Sequence, residues 1–211
     1  MEVALLISIA GGTASGKTTV VSEIAKNFSK RDISLVCMDN YYKRRDDLSL
    51  EERSKINYDH PDAIDMDLLK SDLKRLLNGE EIKMPIYDFK NHNRSDEFEV
   101  VKPTKVIILE GILALYDEEI REMSDLLIFV ESEADIRFIR RLKRDIDERG
   151  RTVDGVISQY LKTVKPMFES YVLPTKRYAD IIIPNDNNHE VAVDIVMAKV
   201  KEIINRKEEN K

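Results

Sequence analysis

The sequence predicts a single α/β domain, and two observations support this fold class. Short apolar runs typical of buried strands alternate along the chain with amphipathic helical segments. The first run, residues 3–10, leads into Gly11-Gly12-Thr13-Ala14-Ser15-Gly16-Lys17-Thr18, and a helical pattern over residues 18–29 follows. A strand, a glycine-rich loop and a helix in this order are the context of a phosphate-binding loop.

The glycine-rich stretch reads G-x-x-x-x-G-K-T and predicts a nucleoside triphosphate site. Its glycines let the loop point N–H groups inward, and the helix dipole adds to their attraction for phosphate. Lys17 can reach the outer phosphates, and the Thr18 hydroxyl can bind Mg²⁺. The alternative, a glycine-rich turn without this role, is disfavoured by the flanking strand and helix. The predicted nucleotide-binding residues are Gly11, Gly12, Thr13, Ala14, Ser15, Gly16, Lys17, Thr18 and Thr19.

Composition narrows the possible classes of protein. The chain has 211 residues, of which 42% are hydrophobic and 35% charged, as in a globular protein. The net charge of −6 argues against a nucleic-acid partner. The single cysteine, Cys37, excludes an internal disulfide framework and suits a reducing cytoplasm. We expect neither a signal sequence nor a membrane span, because no apolar run approaches the length of about 20 residues that a span needs.

The second apolar run, residues 33–38, predicts a strand that ends in Asp39. In open α/β sheets the carboxyl ends of strands carry the site, so Asp39 is expected beside the glycine-rich loop. A carboxylate there can orient a hydroxyl, accept its proton, or hold Mg²⁺ through water. The alternative is a turn residue that caps the next helix.

Three segments follow before the next predicted strand of the sheet. Residues 43–55 predict a charged surface helix, and residues 57–65 form a polar, aromatic stretch that Pro61 keeps from being helical. Asp65 begins an amphipathic helix that Gly79 ends.

Residues 82–101 predict a β-hairpin outside the main sheet. Tyr87 and Phe89 alternate and therefore share a face, and His92 follows them. Aromatic faces beside one hydrogen-bonding imidazole suit a nucleobase pocket. A hairpin with surface aromatic residues is the alternative, and composition alone does not decide between them.

Residues 105–113 give the clearest buried strand, which contains the acidic Glu110 near its end. This arrangement is that of a Walker B element, in which the carboxylate faces the phosphates across from Thr18 and polarises a metal-bound water. Residues 125–130 predict a further strand.

Residues 133–149 predict a helix that carries Arg137, Arg140, Arg141 and Arg144, and Arg149-Gly150-Arg151 follows it. Most charge runs are solvated faces, and neighbouring acids such as Asp145 can neutralise this one in part. In a phosphate-binding protein, however, arginines beside a glycine suggest a lid, here residues 137–160, which excludes water and stabilises the transferred phosphoryl group. The chain then predicts a helix over 152–168 that ends near Pro166, a strand over 178–184, a polar loop over 185–188 and a closing helix over 189–205 before a frayed tail.

Together these motifs resemble the uridine kinase family, also called the uridine-cytidine kinase family. The matching stretches run in family order over nearly the whole chain. They are residues 11–18, 39–42, 57–63, 85–89, His92 with Arg94, 109–113, 144–146, 148–151, 159–160 and 176–184. The Tyr58-Asp59-His60-Pro61-Asp62-Ala63 and Tyr87-Asp88-Phe89 segments make the resemblance specific, whereas the loop alone would be weak.

The resemblance implies a nucleoside-monophosphate-kinase-like P-loop fold, with a five-stranded parallel sheet flanked by helices, a small β-hairpin and a lid. It implies transfer of the γ-phosphoryl group of ATP or GTP, with Mg²⁺, to the 5′-hydroxyl of uridine or cytidine in pyrimidine salvage. A cytoplasmic homotetramer is expected by the same resemblance, without nucleic-acid or membrane partners.

The resemblance also implies roles for individual residues. Asp39 is the expected general base, assisted by Lys17 and Arg144, and Thr18, Asp39 and Glu110 are the expected metal-site residues. Asp59 and Arg141 are expected to bind the ribose hydroxyls. The remaining expected nucleoside and lid contacts are Tyr42, Tyr58, Tyr87, Phe89, His92, Arg149, Arg151 and Gln159. Many relatives have Phe at the position of Tyr58, so the role of its hydroxyl is left open, as are the adenine contacts in residues 185–188.

Two other functions are compatible with the loop. A related kinase, such as a phosphoribulokinase or a pantothenate kinase, shares it, but the Tyr87, Phe89 and His92 pocket favours a base over a sugar phosphate. A GTP-binding switch or another non-catalytic nucleotide-binding module is disfavoured, because the Asn-Lys-x-Asp motif with which GTPases recognise guanine is absent from the sequence.

Overall fold

The computed structural model of the protein describes residues 4–29, 31–186 and 190–209. Part of the loop considered for adenine contacts, Asn187 and Asn188, lies outside the described residues, as does His189 at the predicted start of the closing helix.

The strands form one parallel sheet and a separate hairpin. They are β1 (Leu5–Gly11), β2 (Ile33–Cys37), β3 (Ile82–Asp88), β4 (Asn93–Val101), β5 (Val106–Glu110), β6 (Leu126–Glu131) and β7 (Ile181–Pro184). Five of them pair in parallel in the order β2–β5–β1–β6–β7, which confirms the predicted five-stranded parallel sheet. The other two, β3 and β4, pair antiparallel outside this sheet.

Helices cover both faces of the sheet. They are α1 (Lys17–Ala25), α2 (Leu50–Ser54), α3 (Met66–Leu77), α4 (Glu118–Met123), α5 (Ala134–Asp147), α6 (Val153–Gln159), α7 (Lys165–Met167) and α8 (Glu190–Glu209). Within the described ranges, none of these helices is both long and apolar enough to cross a membrane.

Strand β1 lies at the centre of the sheet, and all its residues are buried. Its side chains alternate between two cores, as the period of a strand requires. Leu5, Ile7 and Ile9 pack with α1 and α8, whereas Leu6 and Ala10 belong to the core that contains the apolar face of α3. Because both faces are covered, the carboxyl end of β1 is fixed firmly at one edge of the sheet.

The hairpin is held against the main domain by Arg94 of β4. Its guanidinium donates to the carbonyl oxygens of Tyr42 and Tyr41 at 2.6 and 2.9 Å, and to the Asp65 carboxylate at 3.2 Å. Asp65 also caps α3, as predicted, by accepting from the Leu68 amide. One side chain therefore fixes the hairpin to the segment that follows β2.

The predicted end of the long C-terminal helical segment is wrong. We expected a helix that stops near Pro166, but helical turns continue to Tyr178. Turns of π-helix over Tyr160–Val164 and Phe168–Val172 flank α7, which contains Pro166, and a 3₁₀ segment over Leu173–Tyr178 follows. Proline disrupts an α-helix because it lacks an N–H and clashes with the carbonyl four residues earlier. The i→i+5 turns displace that carbonyl, so the chain passes through the proline.

Other helix boundaries also differ from the prediction. Helix α1 ends at Ala25 rather than Ser29, because the amides of Asn27 and Phe28 bond to carbonyls three residues back. The charged segment 43–55 forms only the short helix α2, which begins where Ser49 and Glu52 make a reciprocal capping box. Helix α4 was not predicted, and α8 continues to Glu209, into the predicted frayed tail.

A buried carboxylate on α3 gives a test of this packing. The Tyr41 hydroxyl donates to Asp72 Oδ2 at 3.0 Å, and Asp72 is only 4% exposed. Burial raises the pKa of Asp72, although Tyr41, Arg75 and Arg94 oppose this effect. The folded protein therefore holds this proton more tightly than the unfolded chain does, and the ionised carboxylate lowers stability at neutral pH.

We expect Asp72→Asn to raise the free energy of unfolding at pH 7, because the amide oxygen still accepts from Tyr41 while the buried charge is removed. The gain is about 1.4 kcal/mol for each unit by which the pKa of Asp72 is raised. It should shrink as pH falls through that raised pKa and vanish below the unfolded-state value of about 3.9. Urea unfolding of both proteins from pH 4 to 8 measures this, and a less stable variant at pH 7 would contradict it.

Candidate active site

The glycine-rich loop links β1 to α1, and its backbone at Gly16 adopts a left-handed conformation that favours glycine. Gly16 has φ +86°, and a Cβ there would lie 1.8 Å from Asn185 Nδ2. The side-chain amide of Asn185 also donates to the Ser15 carbonyl at 2.8 Å, and the backbone N–H of Asn185 donates to the Glu131 carbonyl at the end of β6. The loop is therefore held by the start of the segment after β7 as well as by its own turns.

Lys17 begins α1, and its side chain is folded back onto the loop. Its Nζ donates to the carbonyl oxygens of Gly11 and Gly12, each at 3.1 Å. Burial lowers the pKa of Lys17, while Glu110 and Asp39 oppose this shift. The buried ammonium thus faces two carboxylates that come from the ends of neighbouring strands.

These groups line a cavity of about 120 Å³, which we call the loop cavity. The three predicted metal-site residues, Thr18, Asp39 and Glu110, all line it, together with Lys17. Burial raises the pKa of Glu110, whereas Lys17 opposes that effect. Of the other residues predicted to bind nucleotide, Thr13 and Ala14 line the cavity, and Thr19 lies exposed in the first turn of α1.

A second cavity lies beside the first, and we call it the aromatic cavity. All ten residues expected to contact the nucleoside line it. They are Tyr42, Tyr58, Asp59, Tyr87, Phe89, His92, Arg141, Arg149, Arg151 and Gln159. The structure therefore brings together segments that the sequence separates by more than one hundred residues.

The two cavities meet at Asp39 and Arg144, which line both of them, as do Thr13 and Ile112. Asp39 follows β2 in a short 3₁₀ turn, and the Tyr42 hydroxyl donates to its Oδ1 at 3.4 Å. Asp39 and Arg144 can thus contact both a group bound in the loop cavity and a group bound in the aromatic cavity.

Aromatic rings form the wall of the aromatic cavity. Tyr87 contacts the Tyr42 ring edge-on at 4.9 Å and the Phe89 ring at 5.2 Å. The Tyr87 hydroxyl is buried beside the Tyr58 hydroxyl and makes no hydrogen bond of normal geometry within the described part of the chain. Burial lowers the pKa of His92, and nearby arginines add to this shift, so its imidazole is neutral at pH 7. A slot walled by aromatic rings, with a phenolic hydroxyl and a neutral imidazole at its edge, is suited to a flat polar ring.

The polar side of the same cavity contains Asp59 and a bridged pair of arginines. Burial raises the pKa of Asp59, and Arg141 opposes that shift. Gln159 Oε1 accepts from Arg141 at 2.8 Å and from Arg151 at 2.6 Å. A carboxylate and a guanidinium on one wall are suited to binding adjacent hydroxyl groups.

The arginine-rich segment 137–160 is not the solvated face that most charge runs form. Arg141 is 5% exposed, and its Nη1 donates to Thr13 of the glycine-rich loop at 2.9 Å. The Arg149 guanidinium lies 4.8 Å from the centre of the Phe89 ring, so the segment also contacts the hairpin.

Arg137 shares a helix face with Arg141 but does not line either cavity. It packs on the Phe168 ring at 4.0 Å and donates to the Ser132 carbonyl. A Cβ on Gly12 would lie 2.5 Å from its guanidinium, so Arg137 supports the loop from behind. The position of Arg137 in the sequence could not predict this supporting role, because the Arg137 side chain is held by Phe168, which is distant in the chain.

Asp145 is the residue whose importance the sequence reasoning missed. It is fully buried and has four guanidinium groups around its carboxylate, with Arg144 at 2.8 Å, Arg149 and Arg151 at 3.4 Å and Arg141 at 3.5 Å. Burial by itself raises the pKa of Asp145, but the arginines, Arg141 and Arg144 first, outweigh it and hold the pKa below its ordinary value. The sequence did carry a signal for this role, because Asp145 lies among four closely spaced arginines.

Comparisons with known proteins agree with this geometry. The chain matches the Phosphoribulokinase / Uridine kinase family over residues 6–192. Uridine kinase from Halalkalibacterium halodurans is 53% identical over 203 residues, which cover 96% of each chain. Uridine kinase from Clostridium tetani is 50% identical over 204 residues, which cover 97% of this chain and 98% of that one.

The fold is shared more widely than the sequence. Phosphoribulokinase from Rhodobacter spheroides superposes with a TM-score of 0.63 at 16% identity, covering 87% of this chain and 71% of that chain. At this identity the likeness concerns the fold alone, and it agrees with the predicted P-loop kinase architecture.

Asp145→Asn should destabilise the protein, because it leaves four arginines without their shared buried anion. We expect a loss of roughly 2–3 kcal/mol in the free energy of unfolding at pH 7, below the 3–5 kcal/mol typical of a fully buried pair because three of the arginines are partly exposed. Since the pKa of Asp145 is lowered, its stabilisation exists above the unfolded-state pKa and is lost as pH falls through the folded one. Urea unfolding measures the loss, and exposed Asp147→Asn is the control. Equal stability of the two variants would count against this account.

Proposed function

This chain belongs to the phosphoribulokinase and uridine kinase family, and we propose that it is a uridine kinase. It transfers the γ-phosphoryl group of ATP or GTP to the 5′-hydroxyl of uridine or cytidine and so produces UMP or CMP in pyrimidine salvage. The observation that carries this proposal is the junction of the loop cavity and the aromatic cavity at Asp39 and Arg144. The uridine kinases of about 50% identity over the whole chain support the same assignment.

The loop cavity is the proposed donor side. Inward N–H groups of residues 11–19 and the positive end of α1 bind the triphosphate. Lys17 now donates to two loop carbonyls, and it exchanges these for phosphate oxygens when the nucleotide binds. That exchange keeps the buried ammonium paired throughout, which its burial requires.

The oxygen ligands at the loop cavity fit Mg²⁺. Thr18 offers a hydroxyl, and Asp39 and Glu110 offer carboxylates, which are the hard ligands that this ion prefers. The described residues contain no group of three or more acidic, His or Cys side chains that could hold a metal by themselves. The residues present therefore suit an ion that takes its other ligands from phosphates and water. When bound, Mg²⁺ neutralises charge on the outer phosphates.

Asp39 is the proposed acceptor-side catalytic residue. It orients the 5′-hydroxyl towards the phosphorus and accepts its proton as the bond forms. Phosphoryl transfer depends more on positioning than on early deprotonation, so the orientation contributes most. The bond from the Tyr42 hydroxyl fixes the carboxylate for this role.

The aromatic cavity is the proposed nucleoside site. Asp59 and Arg141 bind the ribose 2′- and 3′-hydroxyls, while Tyr87 and His92 contact the polar edge of the base. Tyr42, Tyr58 and Phe89 pack against its faces. The Tyr87 hydroxyl supports this assignment, because it is buried without a hydrogen bond of normal geometry in the protein and is therefore suited to a ligand atom.

The arginine-rich segment is the proposed lid. Arg144 stabilises the charge on the transferred phosphoryl group, and Arg149 and Arg151 close over the nucleoside. The contacts of Arg141 with the loop and of Arg149 with Phe89 support this role, since they join both cavities to one segment. Closure excludes water, which would otherwise compete with the nucleoside for the phosphoryl group.

Two alternatives are less well supported. A sugar-phosphate kinase of the same fold has no base to bind and so does not account for a cavity wall of three tyrosines and a phenylalanine. A non-catalytic nucleotide-binding module does not account for Lys17, Asp39 and Glu110 around one cavity.

We place the enzyme in the cytoplasm, where ATP and reduced thiols such as Cys37 are both found. We also propose a homotetramer. The exposed apolar side chains Phe98 and Val100, which share one face of β4, support association between copies. Light scattering of the purified protein measures the assembly.

Asp39→Asn should lower kcat for uridine by at least about a hundredfold, because general base catalysis typically contributes 10²–10⁴-fold. ATP affinity should stay within about twofold, since Lys17 and the loop are unchanged. The assay uses ATP and Mg²⁺ with uridine, cytidine, ribulose 5-phosphate and pantothenate, and exposed Asp47→Asn is the control. Turnover of neither pyrimidine nucleoside by the unmodified protein would refute the proposed function, and an unchanged kcat would remove Asp39 from the mechanism.

Asp59→Ala should weaken nucleoside recognition by roughly 2–5 kcal/mol in kcat/KM, the range for an unpaired polar partner. The KM for ATP should not change. The preference for uridine over 2′-deoxyuridine should largely disappear, because the deoxy substrate no longer leaves a buried carboxylate unpaired. Asp62→Ala, whose side chain is 90% exposed, is the matched control. If the variant still prefers uridine as strongly, Asp59 does not bind the 2′-hydroxyl.

A further inference from the structure

His92 has an unusual backbone conformation. Its φ is +49°, in the left-handed region that residues with a side chain seldom adopt. Such a conformation persists when surrounding contacts hold it, and it is often found at functional sites. The contacts around His92 therefore determine where its imidazole lies.

The residues on either side of His92 are anchored independently. Before it, the Asp88 carboxylate accepts from the Lys90 and Asn91 amides at 2.8 and 3.2 Å. After it, the Asn93 side chain accepts from the Arg45 amide at 2.8 Å. The turn is thus fixed at both ends, and His92 lies between the two anchors.

Tyr58 contacts both the backbone and the ring of His92. Its hydroxyl lies 3.2 Å from the His92 carbonyl oxygen and 3.0 Å from the Arg53 carbonyl oxygen at α2. Its ring stacks on the imidazole, with centroids 5.5 Å apart and planes 19° from parallel. Both partners of the hydroxyl are acceptors, so this O–H is a donor shared between two main-chain carbonyls.

We propose that the Tyr58 hydroxyl is a positioning group that holds His92 at the edge of the aromatic cavity. It ties the His92 carbonyl to the end of α2 and thereby maintains the left-handed backbone that directs the imidazole inward. This inference rests on the proposed function in one respect, namely that the base of a pyrimidine nucleoside is what His92 contacts.

The position of the hydroxyl predicts which kinetic constant it affects. Because the Tyr58 hydroxyl bonds to carbonyl oxygens of the protein, its removal leaves the Tyr58 ring in the wall of the aromatic cavity. It is also remote from the loop cavity, which Tyr58 does not line. Its loss should therefore weaken nucleoside binding and leave both ATP binding and the chemical step unaffected.

The first experiment compares Tyr58→Phe with Tyr116→Phe, which removes a hydroxyl from a partly exposed ring outside both cavities. For Tyr58→Phe we expect the KM for uridine to rise about fivefold, as for loss of one hydrogen bond. The kcat and the KM for ATP should stay within about twofold. Tyr116→Phe should change none of them. An unchanged KM for uridine in Tyr58→Phe, or a fall in kcat alone, would overturn the proposal.

A double-mutant cycle then tests whether the hydroxyl acts through His92. In a His92→Ala background, Tyr58→Phe should change the KM for uridine by less than about twofold, because the group that it positions is gone. If the full fivefold effect persists in that background, the hydroxyl acts on the nucleoside or on the cavity wall, and the proposal is wrong.

An NMR titration of the free protein gives a readout that needs no substrate. The chain has three histidines, so the His92 ring is assigned by comparison with His92→Ala. Burial, Arg151, Arg53 and Arg149 lower its pKa, and Asp88 acts in the opposite direction. In Tyr58→Phe the released ring should gain water and its pKa should rise towards the ordinary value. A His92 pKa that is the same in both proteins overturns the proposal. This result is independent of the proposed function, which fails separately if the unmodified protein phosphorylates no nucleoside.

Discussion

The acceptor side of this site depends on one buried carboxylate that neutralises four guanidinium groups. Arginines at this spacing repel one another, and burial makes the repulsion stronger. Asp145 offsets it from a fully buried position, and Gln159 bridges two of the same arginines. One anion among four cations leaves the cluster itself with an excess of positive charge, and its arginines line the same cavity as the carboxylates of Asp39 and Asp59. These charged groups are therefore held in place before any phosphate arrives, which is the condition for electrostatic stabilisation without rearrangement.

The sheet supplies the other constraint, because parallel strands end at one edge. Strands β1, β5 and β2 are neighbours, and their carboxyl ends deliver the glycine-rich loop, Glu110 and Asp39 to that edge. Their registers are in step, since Ile9 pairs with Glu110 and Cys37 also pairs with Glu110. The loop cavity and Asp39 thus follow from strand pairing, whereas the rest of the aromatic cavity comes from segments outside the sheet.

This division explains what the sequence could and could not predict. Apolar runs mark strands, and the residue after a strand lies at a known edge, so the positions of Asp39 and Glu110 were predictable. Tyr87, Phe89 and His92 suggested a base pocket without deciding it, and the full lining of the aromatic cavity was predictable only through resemblance, because its walls come from the hairpin and from residues 57–65. The passage of the chain through Pro166 and the support of the loop by Arg137 were not, since both depend on tertiary contacts that no local pattern encodes. The contact of the Asp145 carboxylate with four arginines was unpredictable for the same reason.

The shared fold also shows where substrate choice must lie. A phosphoribulokinase has this architecture, and its name implies a sugar phosphate as acceptor rather than a nucleoside. The shared fold therefore cannot by itself determine the acceptor. In this chain most groups that line the aromatic cavity, the proposed acceptor site, are carried by the hairpin, by residues 57–65 and by the arginine-rich segment. Arg94 attaches the hairpin to the carbonyls of Tyr41 and Tyr42, beside Asp39, and the Tyr58 hydroxyl attaches the His92 carbonyl to residues 57–65. Apart from the bond between Arg94 and Asp65, these contacts end on main-chain carbonyls, which any sequence provides. Residues of the aromatic cavity that do not make these contacts can therefore change without disturbing the loop cavity. In the proposed function, acceptor specificity is therefore a property of the attached segments, and phosphoryl transfer is a property of the sheet edge.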